Sequence, residues 1–384
     1  MRPWRAIAAS VCVALGVTAC ASKPAVPPTE LEPIAAPSVS FDLVWQAGLP
    51  GEARFDGASF APALADGVVY AASASGALKS FSFNEGKTLW ERDLDRPLSS
   101  GTSVDTQSLY VSTRDGSLLA LDREFGTVRW EAMLDREVLR APLVDAGQVL
   151  ISTTSGELYA LDVVDGSVLW QYRYQAPSLT VRGAGYNVYV PGGYLASLDD
   201  GRLVALEERN GRVIWESYIS TPRGRTAVQR IVDVDAPPVV VGGAVVVGSR
   251  RGDVTALDGR TGEQKWSQVL DSVAGLAGDD DALVVVERDS TLVGLNATTG
   301  ERLWTTEALR GRQLSDPVNH RGAILLGDFD GYIHAVSPRT GALVGRYRVS
   351  DTAVRAQIIS AGTDVLVQSR NGDLARLAVV GGAR

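Results

Sequence analysis

The sequence predicts an all-β fold, an eight-bladed β-propeller of four-stranded antiparallel blades. Two series of short motifs recur with a period of about 40 residues, which is typical of propeller blades. One series is a tight, mostly glycine-containing turn, and the other is a glycine followed four residues later by tryptophan. Apolar residues alternate between the two motifs, as in short strands joined by turns. Residues 41–384 show no sustained helical period.

The turns divide each repeat into strands A to D, with the tight turn joining strands B and C. The eight B–C turns are Ser75-Gly76, Asp115-Gly116, Ser155-Gly156, Asp200-Gly201, Arg251-Gly252, Asp289-Ser290, Asp330-Gly331 and Asn371-Gly372. In six repeats a tryptophan follows the last turn residue by 14 positions, as from Gly76 to Trp90. Constant spacing of this kind indicates one unit repeated around a ring.

The two chain ends together account for the eighth blade. The spacing from Gly372 would place a tryptophan beyond Arg384, so the last repeat lacks an outer strand. Residues 41–45, FDLVW, form a strand with a tryptophan and no preceding strands of their own. We therefore expect the N-terminal strand to close the last blade, which leaves no sheet edge open at the closure. The seventh repeat departs from the pattern, because its tryptophan position is Gly345.

All tryptophans after the N-terminal segment occupy the repeat position. They are Trp45, Trp90, Trp130, Trp170, Trp215, Trp266 and Trp304. A buried tryptophan removes about 150–250 Å² from water. We expect these seven to be structural packing residues and not part of a cofactor pocket.

The first 19 residues predict a cleaved secretory signal, domain 1–19. Arg2 and Arg5 precede an apolar run over residues 6–17, which is too short to span a bilayer as a helix. Loss of the two arginines leaves 35 basic against 45 acidic residues, a formal charge of −10. Such a surface gains little from nucleic acid or anionic lipid, so no nucleic-acid partner is expected.

The end of this signal resembles the bacterial lipoprotein box. The stretch LGVTAC, residues 15–20, implies that Cys20 is acylated and becomes the mature N-terminus, and an ordinary signal with a chance cysteine is the alternative. The residue after Cys20 is Ala21 and not aspartate, which by resemblance to enterobacterial sorting rules implies delivery to the outer membrane. Residues 20–40 comprise the lipidated cysteine and a proline-rich, extended tether. The propeller is expected over residues 41–384.

Candidate catalytic and metal-binding residues are few. The two histidines are expected in a solvated A–B turn, for His320, and half-buried in a strand, for His334. With Cys12 lost in the signal and Cys20 acylated, no thiol remains to bind a metal or to form a disulfide. The acidic run 279–281 lacks the spacing of an EF-hand and predicts a charged turn. We therefore expect no catalytic residue, no metal site and no cofactor.

The repeat unit, as in DGRTGEQKW and NATTGERLW, resembles that of pyrroloquinoline-quinone dehydrogenases, in which the tryptophan docks between neighbouring blades. This leaves one alternative function, a periplasmic quinoprotein-like enzyme or a small-ligand binder that uses the central channel. Such a site needs polar or metal-ligating residues on the A strands. The A-strand regions FAPALADG, RAPLVDAG and DAPPVVVGG are instead apolar or small.

Unusual length is concentrated in two neighbouring D–A connections. The intervals from Trp170 to Trp215 and from Trp215 to Trp266 are 45 and 51 residues. The added residues fall mainly in QAPSLTVRGAG and STPRGRTAVQRIVDVD. In an antiparallel meander the D–A and B–C links emerge at one face, so the two segments should lie side by side. Long loops on a rigid scaffold are common binding sites.

The lipoprotein box, the eight repeats and the strings PSLTVRG and RIVDVDAPPVVVGG resemble the BamB family of outer-membrane protein assembly lipoproteins. The resemblance implies a non-enzymatic subunit of the β-barrel assembly (BAM) complex, anchored at the periplasmic face of the outer membrane. It further implies contact with the POTRA domains of BamA, support for the folding and insertion of outer-membrane β-barrel proteins, and unfolded barrel proteins as possible direct clients. Carried onto this sequence, the partner-binding residues are Leu179, Val181, Arg182, Asp233 and Asp235. An internal ion pair between Arg182 and an aspartate, which only shapes the loops, is the alternative.

Overall fold

The computed structural model describes residues 26–51, 60–134, 136–177, 185–221, 232, 234 and 236–382. Over these residues the chain forms eight four-stranded antiparallel sheets, which are the blades of a propeller. The inner strands of successive blades contact one another around the central axis. The predicted fold class is confirmed.

The strands follow one another along the chain with short turns between them. The N-terminal strand and blades 1 to 4 comprise β1 (Val39–Gly48), β2 (Ala63–Ala65), β3 (Val68–Ala72), β4 (Ala77–Ser82), β5 (Thr88–Asp93), β6 (Ser103–Val104), β7 (Ser108–Ser112), β8 (Ser117–Asp122), β9 (Val128–Met133), β10 (Leu143–Asp145), β11 (Gln148–Ser152), β12 (Glu157–Asp162), β13 (Val168–Arg173), β14 (Asn187–Val190), β15 (Gly193–Ser197), β16 (Arg202–Glu207) and β17 (Val213–Tyr218). Blades 5 to 8 comprise β18 (Val239–Val241), β19 (Ala244–Gly248), β20 (Asp253–Asp258), β21 (Gln264–Val269), β22 (Gly275–Gly278), β23 (Ala282–Val286), β24 (Leu292–Asn296), β25 (Arg302–Thr306), β26 (Val318–His320), β27 (Ala323–Gly327), β28 (Tyr332–Val336), β29 (Leu343–Arg348), β30 (Ile359–Ala361), β31 (Asp364–Gln368) and β32 (Asp373–Gly381). Blades 1 to 7 each use four consecutive strands as A to D, beginning with β2.

Blade 8 is closed by the two chain ends, as the sequence predicts. Its sheet order is β30, β31, β32 and then β1, so the N-terminal strand is strand D. The antiparallel register of β1 and β32 runs from Val39 opposite Gly381 to Gly48 opposite Asp373. This pairing of the chain ends joins the first and last blades into one ring.

The missing tryptophan of blade 7 has a physical reason. Because β32 ends at Gly381 and β1 begins at Val39, no C–D turn joins strands C and D of blade 8. An indole from blade 7 would have no turn to dock on. The start of β1 packs directly against the position where the tryptophan would stand, since a Cβ atom at Gly345 would lie 2.4 Å from the backbone oxygen of Val39. Phe41 and Tyr347 fill this joint, with ring centroids 6.4 Å apart.

The B–C turns and the D–A connections lie on one side of the ring, which we call the B–C face. In seven blades the connection leaves strand D by a backbone hydrogen bond to the carbonyl of the residue that ends the B–C turn. These donor and acceptor pairs are Leu49 and Gly372, Leu94 and Gly76, Leu134 and Gly116, Tyr174 and Gly156, Ile219 and Gly201, Leu270 and Gly252, and Val349 and Gly331. The prediction that the D–A connections and the B–C turns lie on the same face is therefore confirmed.

Buried apolar side chains of neighbouring blades pack together into clusters between the blades. The part of the chain that the structure describes contains no helix that is long and apolar enough to cross a membrane.

Candidate functional site

The seven tryptophans lock each blade to the next. Each indole Nε1 donates a hydrogen bond of 2.7–3.2 Å to a carbonyl oxygen in the C–D turn of the following blade. The accepting residues are Phe83, Arg123, Val163, Glu208, Gly259, Ala297 and Pro338. The turn glycine three residues later lies against the ring: at Gly211, with φ +67°, a Cβ atom would lie 2.3 Å from Trp170. The tryptophan and glycine of the repeat motif thus interact between blades.

The partner-binding residues predicted from the family resemblance lie outside the described residues. They are Leu179, Val181, Arg182, Asp233 and Asp235. Cys20 also lies outside the described residues. The flanks of the two D–A connections that contain the five partner-binding residues lie within the described part of the chain.

The first connection joins blade 3 to blade 4. It starts on the B–C face, where the Tyr174 amide donates to the Gly156 carbonyl at 3.1 Å. At its far end the carbonyl of Tyr186 accepts a hydrogen bond from the amide of Ser197, the last residue of β15, at 2.9 Å. The guanidinium of Arg140 lies 4.0 Å from the centroid of the Tyr186 ring. The connection therefore ends beside the B–C turn of blade 4.

The second connection joins blade 4 to blade 5 and starts at the same turn. The Ile219 amide donates to the Gly201 carbonyl at 2.8 Å. Val232 and Val234, which alternate with the two predicted aspartates, are 0% and 2% exposed. Val232 packs against the turn, since a Cβ atom at Gly201 would lie 3.1 Å from its Cγ2. The B–C turn of blade 4 thus lies between the flanks of both connections.

A network of charged side chains supports this turn, and the sequence analysis did not predict that network. Arg202, the first residue of β16, contacts Asp200 and Glu216 at 2.7 Å each. The hydrogen bond to Asp200, followed by the nearby negative charges, raises the pKa of Arg202. The guanidinium also lies 6.0 Å from the centroid of the exposed Tyr218 ring. The turn therefore carries a fixed positive charge with acidic partners.

A hydrogen bond crosses the mouth of the central channel on the B–C face. The Tyr186 hydroxyl donates to Oδ2 of Asp316 at 2.6 Å. Tyr186 immediately precedes strand A of blade 4, and Asp316 precedes strand A of blade 7, three blades away. The bond therefore narrows the entrance that a channel-binding ligand would use from this face.

Both histidine predictions need correction. His320 is not a solvated turn residue: it ends β26, is 1% exposed, and its Nδ1 lies 2.8 Å from Ser360 Oγ. His334 lies in a strand as predicted but is fully buried, with Nε2 2.9 Å from Asp328 Oδ2. Burial lowers the pKa of both imidazoles, more than their hydrogen-bond partners raise it. Asp328 and His334 are six residues apart in the chain. Their contact forms because the B–C turn of blade 7 folds both side chains into the interior, which the spacing alone did not indicate.

The acidic run 279–281 forms a charged turn between strands, as the sequence predicts, and the structure shows it to be the A–B turn between β22 and β23. Asp279 accepts hydrogen bonds from the amides of Asp281 and Ala282, and Asp281 pairs with Arg339 at 2.6 Å. Within the described ranges, no three histidine, cysteine or acidic side chains gather as a metal site would require.

A cleft of about 800 Å³ lies between blades 1 and 2, away from the B–C face. Tyr70, Trp90, Arg123 and Arg129 contribute to its walls, and Arg123 is paired with Asp66 at 2.8 Å. The cleft is separate from the channel in which the alternative function would place a ligand.

Comparison with known proteins identifies the family. A family model described as "Outer membrane protein assembly factor BamB" matches residues 74–250 and 241–382. The protein of that name from Pseudomonas aeruginosa is 42% identical over 96% of this chain and 97% of its own length. The crystal structure of BamB from Moraxella catarrhalis superposes with a TM-score of 0.80 at 26% identity, covering 88% of this chain and 99% of that one.

A more distant match shows the fold alone. The quinohemoprotein alcohol dehydrogenase from Comamonas testosteroni has a TM-score of 0.70 at 14% identity, over 90% of this chain and 77% of that one. The shared propeller explains why the repeat unit resembles that of quinoproteins. The matches at higher identity, over nearly the full length, show that the chain belongs to the BamB family of outer membrane protein assembly factors.

Proposed function

We propose that this protein is a non-enzymatic subunit of the BAM complex that supports the folding and insertion of outer-membrane β-barrel proteins. It is anchored to the periplasmic face of the outer membrane by lipid on Cys20, and it binds the POTRA domains of BamA. The observation that carries this proposal is the 42% identity to an outer membrane protein assembly factor over 96% of the chain.

The BamA contact is proposed for the two long D–A connections. Leu179 and Val181 would supply apolar contact area, and Arg182, Asp233 and Asp235 a charged rim that selects the partner. Two features support this placement: the flanks of both connections meet at the B–C turn of blade 4, and Val232 and Val234 are buried. Anchored flanks reduce the conformational freedom that a loop loses on binding, which favours affinity.

The channel-ligand alternative has less support. The Tyr186–Asp316 hydrogen bond spans the channel mouth on the face that carries the long connections. A ligand that entered there would have to break a short bond of a tyrosine that also contacts Arg140.

Photo-crosslinking in intact cells tests the proposed contact. A photo-reactive residue replaces Val181 in one strain and Arg260 in another. Arg260 is an exposed residue of the C–D turn of blade 5, on the face opposite the B–C face. A BamA adduct from position 181 and none from position 260 is the expected result.

Equal adducts from both positions, or none from 181, would remove the residue assignment. A pull-down with Leu179→Asp and Arg182→Glu provides an independent measurement. Retention of BamA at the wild-type level would contradict the assigned surface, whereas loss of BamA with unchanged thermal unfolding would support it.

A further inference from the structure

Residues 26–38, which we call the strap, are docked on blades 6 and 7. The Thr29 amide donates to the Arg310 carbonyl at 2.9 Å, and the Thr29 hydroxyl donates to the Glu307 carbonyl at 3.1 Å. Gly311 allows the close approach, because a Cβ atom there would lie 2.7 Å from the backbone oxygen of Pro27. These contacts are made to the D–A connection between blades 6 and 7, on the B–C face.

A buried arginine holds the same part of the strap. Arg312 is 4% exposed, and its Nη1 donates to the Thr29 carbonyl at 3.3 Å. Its charge is balanced by Asp328 at 2.7 Å and Asp330 at 2.8 Å, so its position is set by the blade. Hydrogen bonds from a positioned, charged donor are stronger than those between neutral groups.

The strap then crosses the outer side of blade 7. Leu31 packs against the buried apolar cluster that contains Leu309, Leu326 and Val336. Nη1 of Arg346, on β29, donates to the Glu32 carbonyl at 3.1 Å. The strap ends where β1 begins at Val39, on the opposite face of the ring. Polar and apolar contacts therefore hold it along a path from the B–C face to the start of β1.

Docking shortens the reach of the lipid anchor. Between Cys20 and Val26, the first strap residue, the chain advances six positions, which span at most about 20 Å when fully extended. With the strap released, the chain would advance 19 positions from Cys20 to Val39, which span about 65 Å. The docked strap therefore places the origin of the anchor beside blades 6 and 7 on the B–C face.

We propose that the B–C face at blades 6 and 7 is the side of the propeller that lies against the membrane surface, held there by the docked strap. This inference rests on the acylation of Cys20 in the proposed function. Arg310 and Arg312, the two arginines beside the docked strap, are paired with carboxylates: Arg310 contacts Asp289 and Glu307 at 2.9 and 3.1 Å, and Arg312 contacts Asp328 and Asp330. Tether length, and not attraction to anionic lipid, then sets the apposition.

The strap is separated from the connections to which the partner contact is assigned. The described flanks of those connections lie at the B–C turn of blade 4, on the same face but two to three blades around the ring from the strap. A propeller held at one edge can present its other edge to a soluble domain while it remains at the membrane.

Lipid-dependent quenching of site-specific fluorophores tests the proposal. The full-length acylated protein is reconstituted into phosphatidylcholine vesicles that contain a quencher attached to the lipid headgroup. Single cysteines are introduced as Arg288→Cys and Arg114→Cys, two exposed arginines at the same position of the B–C turns of blades 6 and 2. These blades are diametrically opposite, and the acylated chain has no other free thiol. We expect quenching at position 288 and little at position 114.

Strap variants test the cause of this asymmetry. Thr29→Pro with Leu31→Asp removes the donor to Arg310 and the apolar contact without altering any blade residue. We expect this variant to lose the difference between the two labels, whereas Glu30→Ala, at an exposed strap position, keeps it. Equal quenching of the two labels in the acylated wild type, or a difference that survives the double substitution, would overturn the proposal.

Mass spectrometry of the N-terminal peptide separates this inference from the function on which it rests. If Cys20 is acylated and the two labels are quenched equally, the proposed orientation at the membrane is refuted and the lipid anchor is not. A Cys20 without acyl chains refutes the lipid anchor of the proposed function, and the membrane apposition with it.

Discussion

Replacement of Asp328 by asparagine should strongly destabilise the propeller. The carboxylate is fully buried in the B–C turn of blade 7 and accepts hydrogen bonds from Arg312 Nε at 2.7 Å and His334 Nε2 at 2.9 Å. Burial alone would raise its pKa, but the hydrogen bonds from His334 and Arg312 outweigh burial and hold the pKa below its ordinary value. The group is therefore ionised at neutral pH and balances the charge of a buried arginine.

The expected loss follows from burial. Removal of one partner from a buried ion pair costs about 3–5 kcal/mol, because the other charge is left without compensation. Asp330 provides a matched control, since it contacts the same guanidinium at 2.8 Å while its side chain is 46% exposed. Loss of an exposed partner costs about 0–1 kcal/mol. Asp330→Asn should therefore be nearly neutral.

Urea unfolding followed by tryptophan fluorescence measures both variants. The difference in the free energy of unfolding comes from the shift in midpoint, provided that the slope with denaturant is unchanged. Equal effects of the two substitutions, or a loss below about 1 kcal/mol for Asp328→Asn, would refute the reasoning that burial of the ion pair determines its contribution.

Three further outcomes are expected. Trp170→Phe keeps most of the ring packing but removes the indole donor to the Glu208 carbonyl, which still accepts a hydrogen bond from Gln148 Nε2 at 3.1 Å, so thermal unfolding should show a loss of about 0.5–1.5 kcal/mol. Gly211→Ala should destabilise more than Gly147→Ala, because both glycines have positive φ but only Gly211 lies against an indole ring; equal shifts in Tm would contradict this. Burial lowers the pKa of His320 from 6.5 in the folded state, so the unfolded chain binds a proton first on acidification. Stability is thus complete above pH 6.5 and lost as the pH falls towards the folded-state pKa, and Tm should fall less in His320→Gln than in the wild type between about pH 7 and pH 5.

Much of the architecture could be predicted because the repeat is local. A turn and a tryptophan at constant spacing identify one blade each, and the leftover strand at residues 41–45 pairs with the incomplete last repeat. The departure at Gly345 was visible in the sequence, but its cause was not. It depends on where the start of β1 lies after the ring has closed.

The candidate site was predictable only in part. The lengths of the two D–A connections and the rule for an antiparallel meander predicted that they share a face, and the described flanks agree. Their common contact with the B–C turn of blade 4 was not predicted, because Gly201 and Val232 are far apart in the chain. The binding residues themselves remain a prediction from family resemblance.

By itself the sequence determined the number of blades, the closure of the ring and the structural position of every repeat tryptophan, because these depend on spacing within a repeat. Only the tertiary structure decided which distant groups share a buried environment. It brings Arg312 to the buried pair of Asp328 and His334, and it lays the strap across blades 6 and 7. The physical reason is that burial and charge pairing are properties of neighbours in space, and the folded ring makes neighbours of residues as far apart as Thr29 and Arg310.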